Sequence, residues 1–169
     1  HDQVSVPAGD VLIHAGDFTY FGEGLDDFLT WFENLPHGRK SLIPGNHESM
    51  NFENRAENLM YGRYNNSSID CLVAGQTEVN NLIVSTAGFS TTADIVVSHA
   101  PPTGIVGGDE SPTCRIVEQS IQNQNPKFHI CGHIHELYGK QEVRNTTYVN
   151  CSLEGPNYEI VNDPIIIDF

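Results

Sequence analysis

Five residues with side chains able to hold a metal cation stand just past apolar runs: Asp17, Asn46, His99, His133 and His135. They offer a carboxylate, an amide carbonyl and three imidazoles, with no thiolate among them. Mixed oxygen and nitrogen donors suit manganese, iron, zinc or nickel better than calcium, which takes oxygen ligands. A carboxylate such as Asp17 can bridge two cations roughly 3.5–4 Å apart, leaving a hydroxide between them as nucleophile. His133 and His135 are two apart and would project to one side if strand geometry continued through them, so two neighbouring metals could share the pair. Gly16, Gly45 and Gly132 precede the ligands, where a residue without Cβ tolerates a tight turn and a close backbone approach.

Taken singly these features are ordinary. Gly16-Asp17 alone reads as a turn, Asn46-His47 as a loop, and His99 before Pro101-Pro102 as a ring bonded to a carbonyl. Gly132-His133-Ile134-His135 is the strongest of them, and their joint occurrence in order is what points to a metal centre.

The elements that must position these residues are short. Val11–Ile13, Leu42-Ile43, Leu82–Val84, Ile95–Val97, Phe128–Ile130 and Ile165–Ile167 read as buried strands, each flanked by turn residues. Leu25, Phe28, Leu29, Phe32 and Leu35 keep helical spacing up to Pro36. A second helix is expected from Glu48 to Asn58. A third is expected from Thr113 to Asn123, with Ile116, Val117, Ser120 and Ile121 on one side. Tyr148–Asn150 and Pro164–Phe169 read as strands that finish a sheet. Alternating strands and helices imply an α/β fold, in which ligand sites gather at the carboxyl ends of strands. Four strand ends, before Asp17, Asn46-His47, His99 and His133, supply the candidate chemistry.

With 169 residues the chain fits a single domain, large enough to bury roughly two thirds of the surface its unfolded form exposes. Eight basic against 22 acidic residues give a formal charge of −14, which repels long polyanions. A small phosphate ester is still admissible where bound cations reverse the local sign. Cys71, Cys114, Cys131 and Cys151 form no C-x-x-C pair and read as reduced, mostly buried thiols. No run approaches a membrane span and no basic-then-apolar leader opens the chain, so the expected location is cytoplasmic, without membrane contact. N-x-[ST] matches begin at Asn65, Asn66, Asn145 and Asn150, which an Asn-rich sequence produces by chance. His14 and His129, inside apolar strands, read as core or supporting groups, and His37 as solvated.

The series Gly16-Asp17, Gly45-Asn46-His47-Glu48, Ser98-His99 and Gly132-His133-Ile134-His135 resembles motifs two to five of the calcineurin-like metallophosphoesterases. Gly9–Thr19, His99–Pro102, Gly132–Glu136 and Tyr158 with Val161–Ile165 are closest to the metallophosphoesterase domain-containing (brain protein 239-like) group, so the likeness covers almost the whole chain. It implies a four-layer α/β/β/α sandwich of two mixed sheets flanked by helices. It also implies two divalent metal ions, manganese foremost. Asp17 would bridge; Asn46, His99 and His133 would complete the second site and His135 would serve the first. His47 would act at the leaving group, with Glu48 orienting its imidazole.

The family's first motif, D-x-H, has no counterpart in these residues. The expectation is that the single domain is N-terminally incomplete here, lacking the fold's first strand, with His1 just downstream of the missing ligands. The span from Cys71 to Ile95 is also shorter than the family pattern. The implied activity is hydrolysis of a small nucleotide or cyclic nucleotide by a phosphodiesterase mechanism through a metal-bridging hydroxide. Protein phosphatases of the superfamily extend Gly-Asp into G-D-x-V-D-R-G, whereas Phe18-Thr19-Tyr20 follows here. The alternative is a catalytically weak or inactive scaffold of the same fold that binds protein partners.

Overall fold

The computed structural model describes residues 1–49, 69–72, 75–89 and 92–169. In chain order the elements are β1 (Val11–His14), α1 (Leu25–Asn34), β2 (Arg39–Leu42), α2 (Asn46–Ser49), β3 (Ile69–Cys71), β4 (Gln76–Val79), β5 (Leu82–Thr86), β6 (Ile95–Val97), α3 (Pro112–Gln124), β7 (Phe128–Cys131), β8 (Gly139–Val143) and β9 (Thr146–Asn150). A 3₁₀ turn, His135–Leu137, lies between β7 and β8.

Alternation along β1 sends its side chains to two different neighbours. Leu12 packs outward among Leu25, Phe28, Leu29 and Phe32 of α1, while Val11 and Ile13 face inward with Val84, Val97, Ile130 and Val149 of the other sheet. The larger sheet divides in the same way. Ile95 and Val97 of β6 face inward, and Val96 packs outward with Val117 and Ile121 of α3. The layers therefore run α1, three strands, six strands, α3. The smaller sheet has order β1-β2-β3 and the larger β4-β5-β6-β7-β9-β8. Burial of each large α1 side chain contributes about 1.5–3 kcal/mol.

Helix ends follow local chemistry. Asp26 and Asp27 sit in the first turn of α1, opposing the positive end of its dipole. The helix stops where Leu35, ahead of Pro36, turns extended at ψ 142°. At α3 the Ser111 hydroxyl accepts the Cys114 N–H at 3.3 Å, Pro112 occupies the first turn, and Asn125 ends the helix in a left-handed conformation at φ 48°.

Several expectations are corrected. Among the described residues the three strands of the smaller sheet are parallel. β2 begins earlier than the apolar pair Leu42-Ile43, because Lys40 is buried there with its ammonium donating to the His37 carbonyl at 3.1 Å. Ile116 is 60% exposed, and the covered face of α3 is Cys114, Val117, Ser120, Ile121 and Gln124. The segment from Pro164 to Phe169 forms no strand. It is held by Ile165 and Ile167 in the inter-sheet core, by Lys140 Nζ donating to the Ile166 carbonyl at 2.9 Å and by the Tyr138 hydroxyl donating to the Asp163 carbonyl at 2.7 Å. His37 is buried, its Nε2 donating to the Pro7 carbonyl at 2.9 Å. Of the helix expected over Glu48–Asn58, α2 supplies the beginning and the rest lies outside the described residues, as do Asn65 and Asn66. All four cysteines are free thiols. Among the described residues no helix is long and apolar enough to cross a membrane.

Candidate metal centre

Two sheets deliver the candidate ligands to one point. β1 and β2 of the small sheet run into Asp17 and Asn46, and β6 and β7 of the large sheet run into His99 and His133. The loops are tied across the sheets: His99 Nδ1 contacts the Ala15 carbonyl at 2.8 Å, and the Gly132 N–H donates to the His99 carbonyl at 3.0 Å. The approach leaves no room for side chains. A Cβ on Gly16, whose φ is 94°, would stand 2.7 Å from both Gly45 N and His99 Nδ1, and one on Gly45 would overlap Asp17. Gly132 has no such constraint. The left-handed turn falls on its neighbour His133, at φ 69°, as another falls on Asp17 itself at φ 53°.

The hub of the arrangement is His99 Nε2. It lies 2.9 Å from Asn46 Oδ1, 3.1 Å from Asp17 Oδ2 and 3.1 Å from His133 Nδ1. A carbonyl only accepts, so the bond to Ala15 fixes the proton of a neutral His99 ring on Nδ1 and leaves Nε2 bare. Four lone-pair donors then face one another, an arrangement that a shared cation satisfies. Adjacent ligands on an octahedral cation with bonds of about 2.1 Å stand about 3.0 Å apart, close to the distances from His99 Nε2 to the other three donors. The donor set fits a divalent metal of the nitrogen- and oxygen-binding kind. Asp17, His99 and His133 place one donor atom each within 4.8 Å of one another.

The electrostatics favour positive charge at this cluster, here a proton on the His99 ring that a metal cation would displace. Burial pushes the Asp17 carboxyl upward, but the hydrogen bond and charge of His99 outweigh it and hold the carboxyl below its ordinary range. Burial lowers His99, yet the Asp17 hydrogen bond and charge carry it above the usual imidazole value. His133 is lowered, by burial and then by the charge of His99.

His135 is placed differently from the expectation. Strand geometry ends at Cys131, and the left-handed turn at His133 breaks the alternation that would have put both rings on one side. His135 begins the 3₁₀ turn, with Nδ1 3.3 Å from the Gly155 carbonyl and its ring edge-on to Tyr158 at 5.1 Å. It stays outside the 4.8 Å group, yet its charge is among the causes that lower His133. Its Nε2 is free of the Gly155 bond.

His47 and Glu48 separate in role. The His47 N–H donates to Asp17 Oδ1 at 2.9 Å, and Nδ1 donates to the Thr19 carbonyl at 3.2 Å. Glu48 is 2% exposed and does not hold that ring. Its carboxylate accepts the N–H groups of Asp17 (2.9 Å), Gly45 (2.8 Å) and Thr19 (2.9 Å), and the Thr19 hydroxyl at 2.7 Å. The donors it satisfies belong to the two loops carrying Asp17 and Asn46, so it positions the backbone and reaches His47 only through Thr19.

Two supporting residues, Asn150 and Thr19, were not anticipated, whereas His129 was expected as a core or supporting group. Asn150, fully buried at the end of β9, donates to the Ile134 carbonyl at 2.7 Å and accepts the Ser152 N–H at 3.1 Å, fixing the loop that carries His133. A polar residue closing the run Tyr148-Val149 was its signal in the sequence. Being buried, Asn150 is no glycosylation acceptor, whereas Asn145 is exposed in the β8–β9 turn. His129 contacts the Ser98 hydroxyl at 2.7 Å, which donates to the Ala100 carbonyl at 2.6 Å and braces His99 from behind. Nothing local marked Thr19.

Comparison with known proteins bears on this geometry. The family model described as calcineurin-like phosphoesterase matches residues 2–137. Metallophosphoesterase domain-containing protein 1 of Homo sapiens is 29% identical over 220 aligned residues, covering 99% of this chain and 67% of that protein. A UPF0046 protein of Caenorhabditis elegans is 30% identical over 211 residues, covering 98% of this chain and 71% of its own length. Both alignments run over more residues than this chain possesses, so the relatives carry inserted segments. A solved crystal structure superposes with a TM-score of 0.56 at 21% identity, over 79% of this chain and 64% of that one, a likeness of fold alone.

Proposed function

Because the chain belongs to the calcineurin-like phosphoesterase family, we propose that it is a dinuclear metal-dependent phosphodiesterase acting on a small nucleotide or cyclic nucleotide. The observation that carries this reading is the convergence of Asn46, Asp17 and His133 on Nε2 of His99. Asp17, Asn46, His99 and His133 would hold one divalent cation. Asp17 and His135 would contribute to another, His135 through the nitrogen not bonded to Gly155. Manganese is the favoured ion, with iron, zinc or nickel compatible with the same donors. When bound, such cations polarise phosphoryl oxygens and make water nucleophilic at neutral pH.

The chain's own residues supply the remainder. Thr19 holds the Nδ1 proton of His47, so Nε2 is the nitrogen that would deliver a proton to the departing oxygen when the ring is in its imidazolium form. Glu48 keeps the loops of Asp17 and Asn46 in register, so the ligands are ordered before substrate arrives. A formal charge of −14 disfavours long nucleic acid and leaves a small ester as the fitting substrate. Four free thiols support a reducing, cytoplasmic location.

The test is hydrolysis of a chromogenic phosphodiester by the full-length protein with manganese, iron or nickel. A His47→Ala substitution should lower kcat by about 10²- to 10⁴-fold while metal binding persists. Equal rates for the two proteins across all three metals would sink the enzymatic reading and leave a scaffold of this fold.

A further inference from the structure

The loop after Asp17 places two aromatic rings, Tyr20 and Phe21, beside His47. Phe21 stacks on the His47 imidazole, centroids 4.5 Å apart and planes 24° from parallel, and remains 45% exposed. Tyr20 stands edge-on to the same imidazole at 6.2 Å and is 70% exposed. Neither belongs to the three apolar clusters found among the described residues.

Their placement is fixed by the metal-site scaffold. Glu48 binds the Thr19 hydroxyl, that hydroxyl accepts the Gly22 N–H at 3.0 Å, and the Glu23 N–H closes the turn on the Tyr20 carbonyl at 3.1 Å. Phe21 sits at φ 50°, a conformation bulky L residues rarely adopt. Backbone strain of this kind persists where surrounding contacts over-determine it, and it clusters at ligand-binding sites. The strained turn carries one ring onto His47 and a second to the adjoining rim.

We propose that Tyr20 and Phe21 form an aromatic shelf, on the leaving-group side of His47, that takes a planar aromatic group of the phosphate ester, a nucleobase or an aryl ring. This rests on the phosphoesterase reading above and names the substrate feature that the site selects. Exposed aromatic faces gain stacking energy from any π-surface without reading its edges, so the shelf selects flatness rather than base identity.

The test is equilibrium binding to the manganese-loaded full-length protein, by calorimetry, of four ligands sharing one phosphate chemistry: inorganic phosphate, ribose 5-phosphate, phenyl phosphate and adenosine 5′-monophosphate. Adenosine monophosphate should bind about tenfold or more tighter than ribose 5-phosphate. In a Tyr20→Ala/Phe21→Ala double variant that gap should close while the affinity for inorganic phosphate is kept. Tyr20→Phe should retain the gap. Tight binding of phenyl phosphate as well assigns the shelf to any aryl group, and its absence assigns it to a nucleobase; either supports the shelf. Equal affinities in the parent protein, or a gap that survives the double variant, overturn the shelf and leave the phosphoesterase reading standing. Failure of all four ligands to bind overturns both.

Discussion

Glu48 Oε2 accepts the backbone N–H of Asp17 at 2.9 Å, joining a residue of α2 to a candidate ligand at the end of β1. The same oxygen takes the Gly45 N–H at 2.8 Å, so one buried carboxylate spaces the two loops that bring Asp17 and Asn46 together. Glu48→Ala would leave three backbone donors and a hydroxyl without their acceptor. Charge-assisted bonds contribute about 1.5–3 kcal/mol each, and the variant should lose at least about 3 kcal/mol in urea unfolding. Manganese affinity should fall with it, since the donor spacing depends on that clamp.

Metal binding should be visible without turnover. A ligand at a hundred times its Kd stabilises the folded state by about 2.7 kcal/mol, which for a chain of this size raises Tm by about 5–10 °C. Thermal scans with manganese and with a chelator should differ by that amount. His99→Ala should erase the difference, because Nε2 of His99 is the atom around which the other three donors sit.

Asn150 touches no candidate ligand, yet its amide holds the carbonyl of Ile134 between His133 and His135. Asn150→Ala removes that donor and leaves a part-buried carbonyl unpaired, costing about 1 kcal/mol. Calorimetric titration should show weaker manganese binding, and Asn150→Gln should not rescue it, since the longer side chain has no space in a fully buried site.

His129 gives the fold an acid sensitivity of its own. Burial lowers its pKa to about 3, whereas an unfolded chain titrates near the ordinary imidazole value of 6.5. Between those values the unfolded state binds the proton and the folded state does not, so stability falls as pH drops from about 6.5 towards 3 and is complete above 6.5. Between pH 7 and pH 4 the contribution lost is on the order of 3 kcal/mol. Urea midpoints at the two pH values should differ more for the parent protein than for His129→Gln, which does not titrate there.

Periodicity made the helix over Leu25–Asn34 legible, because its apolar spacing and Pro36 state both the face and the end. Strands β3, β4 and β8 gave little signal: Gln76–Val79 and Gly139–Val143 are polar edge segments whose partners, not their composition, make them strands. Phe128–Cys131 was plain because both faces of a central parallel strand are covered. Ile165–Ile167 misled, since apolar residues that fill the inter-sheet core need no ladder to do so.

What the sequence determined by itself is the set of donors and their order, since ligand chemistry is a property of residue type and each donor follows a strand that composition reveals. What the tertiary structure decided is which donors meet. Asn46 and His99, 53 residues apart, stand at 2.9 Å because the two sheets pack with Gly16 of one against the His99 ring of the other. His133 joins the group around His99 while His135, two residues on, does not, because the strand has ended at Cys131 and His133 takes a left-handed turn. The role of Glu48 was likewise decided there: a carboxylate beside a histidine in sequence turns to whichever unpaired backbone donors the fold brings within reach, and here those belong to Asp17, Thr19 and Gly45.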